Sequence, residues 1–225
     1  MSLVIARVGP ERAWLAADTE AGFAHVDADP ADRVEGCKLL PLPHLNAALA
    51  VAGNTGLLSI LTVRIASSAA TFDQVCNEFV AGGLLDEAFE NYQGFAAAND
   101  VRMLDSQLVA IVGWSAYLNR FRGLLAQREA GKWKTFEFGH LLSPALPDDP
   151  VPAMLDDLVD VARRQVLQTR EQLPGVPIGG RLIAVELTID AMTITRHYLV
   201  DGRPRSRGRY TRPGLAPESV RDPDE

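Results

Sequence analysis

The chain has 225 residues, 47% of which are hydrophobic, and it carries a formal net charge of -7 at pH 7. This length is sufficient for a substantial buried core, and the acidic balance argues against nucleic-acid binding, because phosphate contacts need clustered Lys and Arg. No stretch approaches the ~20 apolar residues of a membrane span, and the N-terminus lacks the pattern of a secretion signal. We therefore expect a cytoplasmic protein that binds neither nucleic acid nor membranes.

The residues that commonly bind metals or phosphates do not form a recognisable motif. The four histidines lack metal-ligand spacing, and no Gly-rich loop precedes a Lys-Ser/Thr pair. The two cysteines, Cys37 and Cys76, do not make a disulfide framework, and we expect both to be small, semi-buried apolar residues. We accordingly expect no cofactor and no metal.

In chain order, the first half of the sequence predicts strands and then helices. SLVIARVG and RAWLAAD flank the turn sequence GPER and predict a β-hairpin, and GFAHV predicts a third short strand. CKLLPLPHLNAALAVAG predicts two strands, broken at positions 43–46. Helices are predicted in NTGLLSILTVRIASSA, capped by Asn54 or Thr55, in TFDQVCNEFVAG, capped by Thr71, and in LLDEAFENYQGFAAA.

The second half returns to strands. SQLVAIVGW, SAYLNRFRGLL and KWKTFEFG predict strands, and LLSPALPDDPVP predicts a Pro-rich connection. AMLDDLVDVARRQVLQTREQL predicts the longest helix, capped by Asp148 or Asp149, and RLIAVELTID and MTITRHYLV predict a closing hairpin. The order of elements is α+β, and two antiparallel sheets packed face to face with helices outside would satisfy it.

The C-terminal segment differs in composition from the rest of the chain. Residues 201–225 have few large apolar side chains and much Pro, Gly and Arg. We expect one domain over residues 1–200 followed by a flexible tail over residues 201–225. The arginines of this tail fit either a solvated segment or contact with an acidic partner.

The second residue of the chain, Ser2, suggests a particular chemistry. Removal of Met1 would give Ser2 a free α-amine beside its hydroxyl, and such an amine has a reference pKa of ~7.7–8.0. One residue would then hold a nucleophile and its general base. The arrangement also needs a neighbouring positive charge, a carboxylate that positions it, and a donor to the oxyanion that forms during attack.

Four segments occur in an order that resembles a known family. SLVIARV, WLAADT, CKLLPL and LAVAGNTG are similar to the β-type subunits of the proteasome and their bacterial relatives, including the Anbu-type proteins, which are N-terminal nucleophile hydrolases. The resemblance is clearest over residues 2–70. It implies that Ser2 is the nucleophile, that Asp18 orients Lys38, that Lys38 lies beside the nucleophile, and that the Gly53 N–H donates to the oxyanion.

The same resemblance implies a fold, an activity and an assembly. The fold is a four-layer αββα sandwich of two antiparallel sheets, and the activity is hydrolysis of a peptide or a small amide. The implied assembly is a homo-oligomer, and an ATPase or another protein is allowed as a partner.

A non-catalytic assembly subunit on the same fold is the alternative. FEFGHLL, with His140, stands where the family has Gly-Ser-Gly, and EQLPGVPIGG stands where it has Asp-x-x-Ser. A small-molecule amidase or acylase also remains open.

Overall fold

Antiparallel strands form two large sheets. The computed structural model describes residues 2–22, 33–104, 106–199 and 206–211. The first sheet has six strands, which are, from edge to edge, β10 (His140–Ser143), β1 (Val4–Val8), β2 (Arg12–Asp18), β11 (Arg181–Thr188), β12 (Ala191–Tyr198) and β13 (Ser206–Thr211). The second has five strands, which are β5 (Leu39–Leu42), β6 (Ala47–Ala52), β7 (Gln107–Ser115), β8 (Arg120–Glu129) and β9 (Lys132–Glu137). A separate pair is made by β3 (Glu20–Gly22) and β4 (Arg33–Glu35).

Helices connect the strands at two places in the chain. Between β6 and β7 lie α1 (Gly56–Ser68), α2 (Phe72–Ala81) and α3 (Gly83–Ala98), and α4 (Leu155–Gln172) precedes β11. A 3-10 turn, Pro43–Leu45, separates β5 from β6. Within the described ranges, no helix has the length and apolar character needed to cross a membrane.

Alternating side chains on the strands place each sheet between two apolar clusters. On β2, Leu15 and Ala17 lie in a cluster shared with the five-stranded sheet, whereas Trp14 and Ala16 lie in a cluster with α4. On β6, Leu49 belongs to a further cluster with α1, α2 and α3. The two sheets therefore pack on each other through one face, and each contacts helices through its other face, as the period-two side-chain alternation of strands allows.

The α+β order is confirmed, and one predicted connection is wrong. LLSPALPDDPVP begins with residues of β10, an edge strand that pairs antiparallel with β1. The predicted break between β5 and β6 is confirmed as the 3-10 turn. Of the predicted strand GFAHV, only Gly22 lies inside the described residues, where it ends β3.

One predicted helix cap is confirmed, and the predicted residues at α1 and α4 make no side-chain capping bond. Thr71 caps α2 as predicted, accepting a hydrogen bond from the Gln74 N–H at 3.2 Å. The Thr55 side chain makes no capping bond at α1. At α4, Asp157 accepts from the backbone N–H groups of residues 153 and 154, while Asp148 instead pairs with Arg164 at 2.7 Å.

The two cysteines have different environments. Cys76 is buried in the cluster with α1–α3, more deeply than the semi-buried position predicted for it. Cys37 is exposed, so the prediction of a semi-buried position is wrong for this residue. Cys37 lies in the short segment between β4 and β5.

The predicted tail lies largely outside the described residues. Residues 206–211 form strand β13, which pairs with β12. The remaining residues after 199 are not among those described. The boundary at residue 200 stays a prediction.

Candidate active site

Asp18 ends β2 and is the centre of a buried polar cluster. Its side chain is only 1% exposed, yet it accepts three hydrogen bonds. The donors are the Leu3 N–H at 2.9 Å, the Gly179 N–H at 2.9 Å and the Lys38 Nζ at 2.8 Å. The carboxylate thereby joins residues that lie far apart in the sequence. A buried carboxylate needs such partners, because burying a charge without them costs several kcal/mol.

Lys38 crosses between the sheets to reach this carboxylate. It precedes β5, is 2% exposed, and donates to the Asp18 carboxylate and to the backbone carbonyl of Glu20. Its own carbonyl accepts from the Val51 N–H at 2.9 Å, which extends the pairing of β5 with β6. Burial lowers the pKa of Lys38, although the charge of Asp18 opposes this shift. Burial likewise raises the pKa of Asp18, against the effect of Lys38.

Ser2 is buried and directly precedes the residue that Asp18 holds. Leu3 and Asp18 bond reciprocally, because the Asp18 N–H also donates to the Leu3 carbonyl at 3.3 Å. The pairing of β1 with β2 therefore extends past Val4, and one further step puts Ser2 opposite Thr19. Leu3 lies in the cluster with α4, whereas Val4 lies between the sheets. By strand alternation, Ser2 shares the face of Val4 and is directed toward the gap between the sheets.

Gly53 follows β6 at the same end of the five-stranded sheet as Lys38. Its φ of 117° is one that side-chain-bearing residues rarely adopt, and a Cβ there would lie 2.4 Å from the Gln107 Oε1. Gln107 Oε1 accepts from the Asn54 N–H at 2.9 Å, and Gln107 Nε2 donates to the Asn54 Oδ1 at 2.7 Å. This reciprocal pair fixes the peptide after Gly53. We predicted Asn54 only as a helix cap, and its partner Gln107 follows 53 residues later.

A second fixed loop reaches the cluster from the other side of Asp18. Gly179 donates its N–H to Asp18, and a Cβ at this position would lie 2.6 Å from the Arg170 Nη2. The same guanidinium pairs with Glu20 at 2.9 Å. Sequence analysis did not include these residues in the site. The adjacent glycines at 179 and 180, in a segment that otherwise read as a helix end, are the sequence signal for a close backbone approach.

Strand β10, which pairs with β1, shows where His140 lies relative to Ser2. The sequence comparison puts His140 in the segment where the family has Gly-Ser-Gly. β10 pairs with β1 so that His140 lies opposite Arg7, whereas Ser143 lies opposite Val4. His140 is therefore five residues from Ser2 along the paired strands, and it is not the residue that neighbours Ser2. Ser143 shares the face of Val4 and lies at the Ser2 end of β10. A hydroxyl side chain is thus present in the region where the sequence comparison found none.

The four predicted site residues differ in how directly they contact one another. Asp18 and Lys38 are in direct contact, and Ser2 is linked to them through the Leu3 N–H. Gly53 is placed at the same sheet end by the pairing of β5 with β6.

No model of a protein family matches the sequence, and neither does any curated protein sequence.

Comparison with solved structures finds proteins with a similar fold. The structure of Anbu from Hyphomicrobium sp. strain MC1 matches 92% of this chain and 87% of its own chain, with a TM-score of 0.52 and 16% sequence identity. The chain shares its fold with Anbu. The predicted resemblance to Anbu-type proteins is therefore confirmed in the fold, across nearly the whole length of both chains.

Proposed function

We propose that this protein is an N-terminal nucleophile hydrolase that cleaves peptide or small amide bonds, with Ser2 as the nucleophile. The observation that carries the proposal is the buried ion pair of Asp18 and Lys38, hydrogen-bonded to the residue that follows Ser2. Such a pair contributes little to stability, because the cost of removing both charges from water offsets their attraction. A chemical role explains why the chain keeps it in the interior.

Each predicted residue has a distinct part in the proposed reaction. With Met1 removed, the α-amine of Ser2 takes the hydroxyl proton while the Oγ attacks the amide carbonyl carbon. The Gly53 N–H donates to the oxyanion that forms. The C–N bond then breaks, and the leaving amine takes the proton from the α-ammonium group. Water, deprotonated by the same amine, hydrolyses the resulting ester and restores Ser2.

Lys38 and Asp18 support this reaction electrostatically. The ammonium of Lys38 favours loss of the hydroxyl proton from Ser2 and keeps the α-amine neutral near physiological pH. Asp18 fixes the position of that ammonium and, through the Leu3 N–H, also holds the backbone next to the nucleophile. One carboxylate therefore orients both the charge and the residue on which it acts.

We further infer the finer architecture and the assembly of the Anbu-type proteins. The three apolar clusters support a four-layer αββα sandwich, with α1–α3 on one side and α4 on the other. Val63 on α1, Val80 on α2 and Phe95 on α3 are each more than half exposed, which supports burial of these helices against further copies of the chain. Light scattering coupled to size exclusion would reveal a homo-oligomer, and a monomer at all concentrations would contradict this assembly.

Hydrolysis of a fluorogenic peptide mixture tests the catalytic proposal. We expect Ser2→Ala to abolish turnover, Ser2→Thr to retain it, and Lys38→Met to lower kcat about 100-fold or more, as loss of a group assisting proton transfer does. Lys132→Met, which removes an exposed lysine of β9, is the matched control and should leave turnover unchanged. Turnover that survives Ser2→Ala would contradict the proposal.

A non-catalytic assembly subunit is the second candidate. The observation that favours it is the loop before β11, which offers Asp18 a backbone N–H from Gly179 where the family pattern has Asp-x-x-Ser. This alternative predicts a stable oligomer that retains Met1 and shows no amide hydrolysis that depends on Lys38. Amide hydrolysis lost in Lys38→Ala would exclude it.

A further inference from the structure

A cavity of about 280 Å3 opens at the end of the six-stranded sheet that carries Ser2, and its lining includes Thr19. Its lining combines one carboxylate, one thiol, a hydroxyl and two guanidinium groups with a small apolar wall. These groups belong to Thr19, Glu35, Cys37, Arg181, Ile183 and Arg196, and Gly36 completes the lining. None of them belongs to the machinery proposed above, although Thr19 follows Asp18 and Cys37 precedes Lys38 in the chain.

Strand register places this cavity on the side of the sheet toward which Ser2 is directed. Ser2 lies opposite Thr19 by extension of the pairing of β1 with β2, and the Thr19 N–H donates to the Arg181 carbonyl at 2.9 Å. Arg196 lies opposite Ile183. Ile183 packs in the cluster between the sheets, so Arg181 and Arg196, which alternate in step with it, share that face.

The cavity lining carries two guanidinium groups and one carboxylate, so positive charge is in excess. Arg181 binds Glu35 through two parallel hydrogen bonds, at 2.7 Å and 2.5 Å, and lies 5.7 Å from the centre of the Tyr198 ring. Thr19 also donates to Glu35, at 3.4 Å. Glu35 is thus fully engaged with its partners. The charge of Arg196 is close enough to contribute to lowering the pKa of Glu35, after the larger effect of Arg181.

Arg196 supplies the second guanidinium group of the cavity lining. Across residues 2–22, 33–104 and 106–199, no ion pair within 4 Å joins Arg196 to a carboxylate. Its guanidinium therefore adds a positive charge at the edge of a cavity whose other charges are already paired. Glu35 and Thr19 hold Arg181 in place, and within the ranges just given Arg196 has no carboxylate partner that would compete with a ligand.

We propose that this cavity is a subsite for an acidic side chain, so that the substrates are peptides carrying Glu or Asp close to the cleaved bond, with Arg196 as the residue that selects them. Neighbouring strands are about 4.8 Å apart, so Arg181 lies roughly 10 Å from Ser2 across the sheet. An extended peptide advances about 3.3 Å per residue. The acidic residue accordingly lies within about three residues of the scissile bond. This inference rests on the proposed function, because it assigns substrates to the same Ser2 site.

Peptide binding to the Ser2→Ala protein tests the subsite without turnover. The probes are fluorescein-labelled decapeptides of Ala, Leu and Ser that contain one central Glu or, as the matched probe, one central Gln. We expect the Glu peptide to bind about fivefold more tightly, as one partly exposed ion pair allows. Arg196→Gln should abolish the difference, Arg196→Lys should keep most of it, and higher salt should reduce it.

An exposed arginine elsewhere supplies the matched control. Arg120 of β8 pairs with Glu137 at the surface of the five-stranded sheet, and Arg120→Gln should leave the Glu-to-Gln binding ratio unchanged. Equal affinity for both peptides would overturn the subsite, as would a preference that survives Arg196→Gln or no binding of either peptide at about 1 mM.

The same peptides separate this inference from the proposed function. If the unsubstituted protein cleaves both peptides equally in a reaction that needs Ser2, the hydrolase stands and the subsite fails. If the Glu peptide binds through Arg196 but no peptide is cleaved, the subsite stands and the hydrolase fails.

Discussion

Replacing Lys38 with Met removes the cation that pairs with Asp18. Asp18 is buried, so bulk water cannot solvate its carboxylate instead. Asp18 is 1% exposed, and after the substitution its donors among the described residues would be the Leu3 and Gly179 N–H groups. Breaking a buried pair from one side typically costs about 3–5 kcal/mol. For a chain of this size each kcal/mol lowers Tm by about 2–4 °C, so we expect a decrease of about 6–20 °C.

The pH dependence of this variant has a definite sign. Burial already raises the pKa of Asp18 in the native protein, and Lys38 is the group that opposes the rise. Without Lys38, folded Asp18 binds its proton more tightly than unfolded Asp18 does, so stability falls as pH rises above about 4 through the raised pKa. The slope is at most about 1.4 kcal/mol per pH unit. The loss of stability should therefore be larger at pH 8 than at pH 5.

Urea denaturation at pH 5 and pH 8 measures both effects. Lys132→Met should change the free energy of unfolding by less than about 0.5 kcal/mol, as surface substitutions do. Adding Asp18→Asn to Lys38→Met removes the unpaired charge and should recover part of the loss. A Lys38→Met protein that loses under about 1 kcal/mol at both pH values would refute the buried-pair reasoning.

Two further predictions concern the glycine at the proposed oxyanion position and the thiols. Gly53→Ala forces a Cβ to 2.4 Å from the Gln107 Oε1 in a backbone region unfavourable to side chains, so it should cost about 1–3 kcal/mol by thermal unfolding and suppress turnover. Gly83→Ala, where a Cβ meets no atom within 4 Å, is the control, and equal stability of the two variants would show the reasoning to be wrong. Ellman's reagent at pH 8 should modify exposed Cys37 but not Cys76, because burial raises the pKa of Cys76 to about 12 and leaves about one thiol in ten thousand ionised. Equal rates for both thiols in the folded protein would contradict the buried position of Cys76.

The fold could be predicted where local patterns decide it. The β1–β2 hairpin, the Pro-containing break between β5 and β6, and the helices after β6 all follow from turn residues and side-chain periodicity. β10 could not be predicted in this way. It has four half-buried residues and a proline directly after it, and its strand conformation depends on pairing with β1, more than 130 residues earlier.

The site shows the same division between local and distant signals. Ser2, Asp18, Lys38 and Gly53 were identified because each lies in a short segment that resembles its family counterpart. Their supporting contacts come from distant segments, as the Gly179 N–H that binds Asp18 illustrates at a separation of 161 residues. Gln107 likewise reads as the second residue of the predicted strand SQLVAIVGW, and only the folded chain pairs its amide with Asn54.

The cavity lined by Arg181 and Arg196 could not be predicted from the sequence, for a related reason. Arg181 and Arg196 read as the polar residues of an ordinary closing hairpin. Only the register of β11 with β12, together with the position of Glu35 on β4, brings their charges to one place. A charge on a strand carries no indication of which distant charge it will meet.

Intact-mass measurement with an acylating β-lactone tests the central claim most directly. The protein should be expressed without an N-terminal tag, with Ser2→Ala as the control. We predict a mass lacking Met1 and a single covalent adduct, which peptide mapping places on Ser2 and which the control does not form. Retention of Met1 with no adduct would contradict catalysis by Ser2 and favour the non-catalytic assembly subunit.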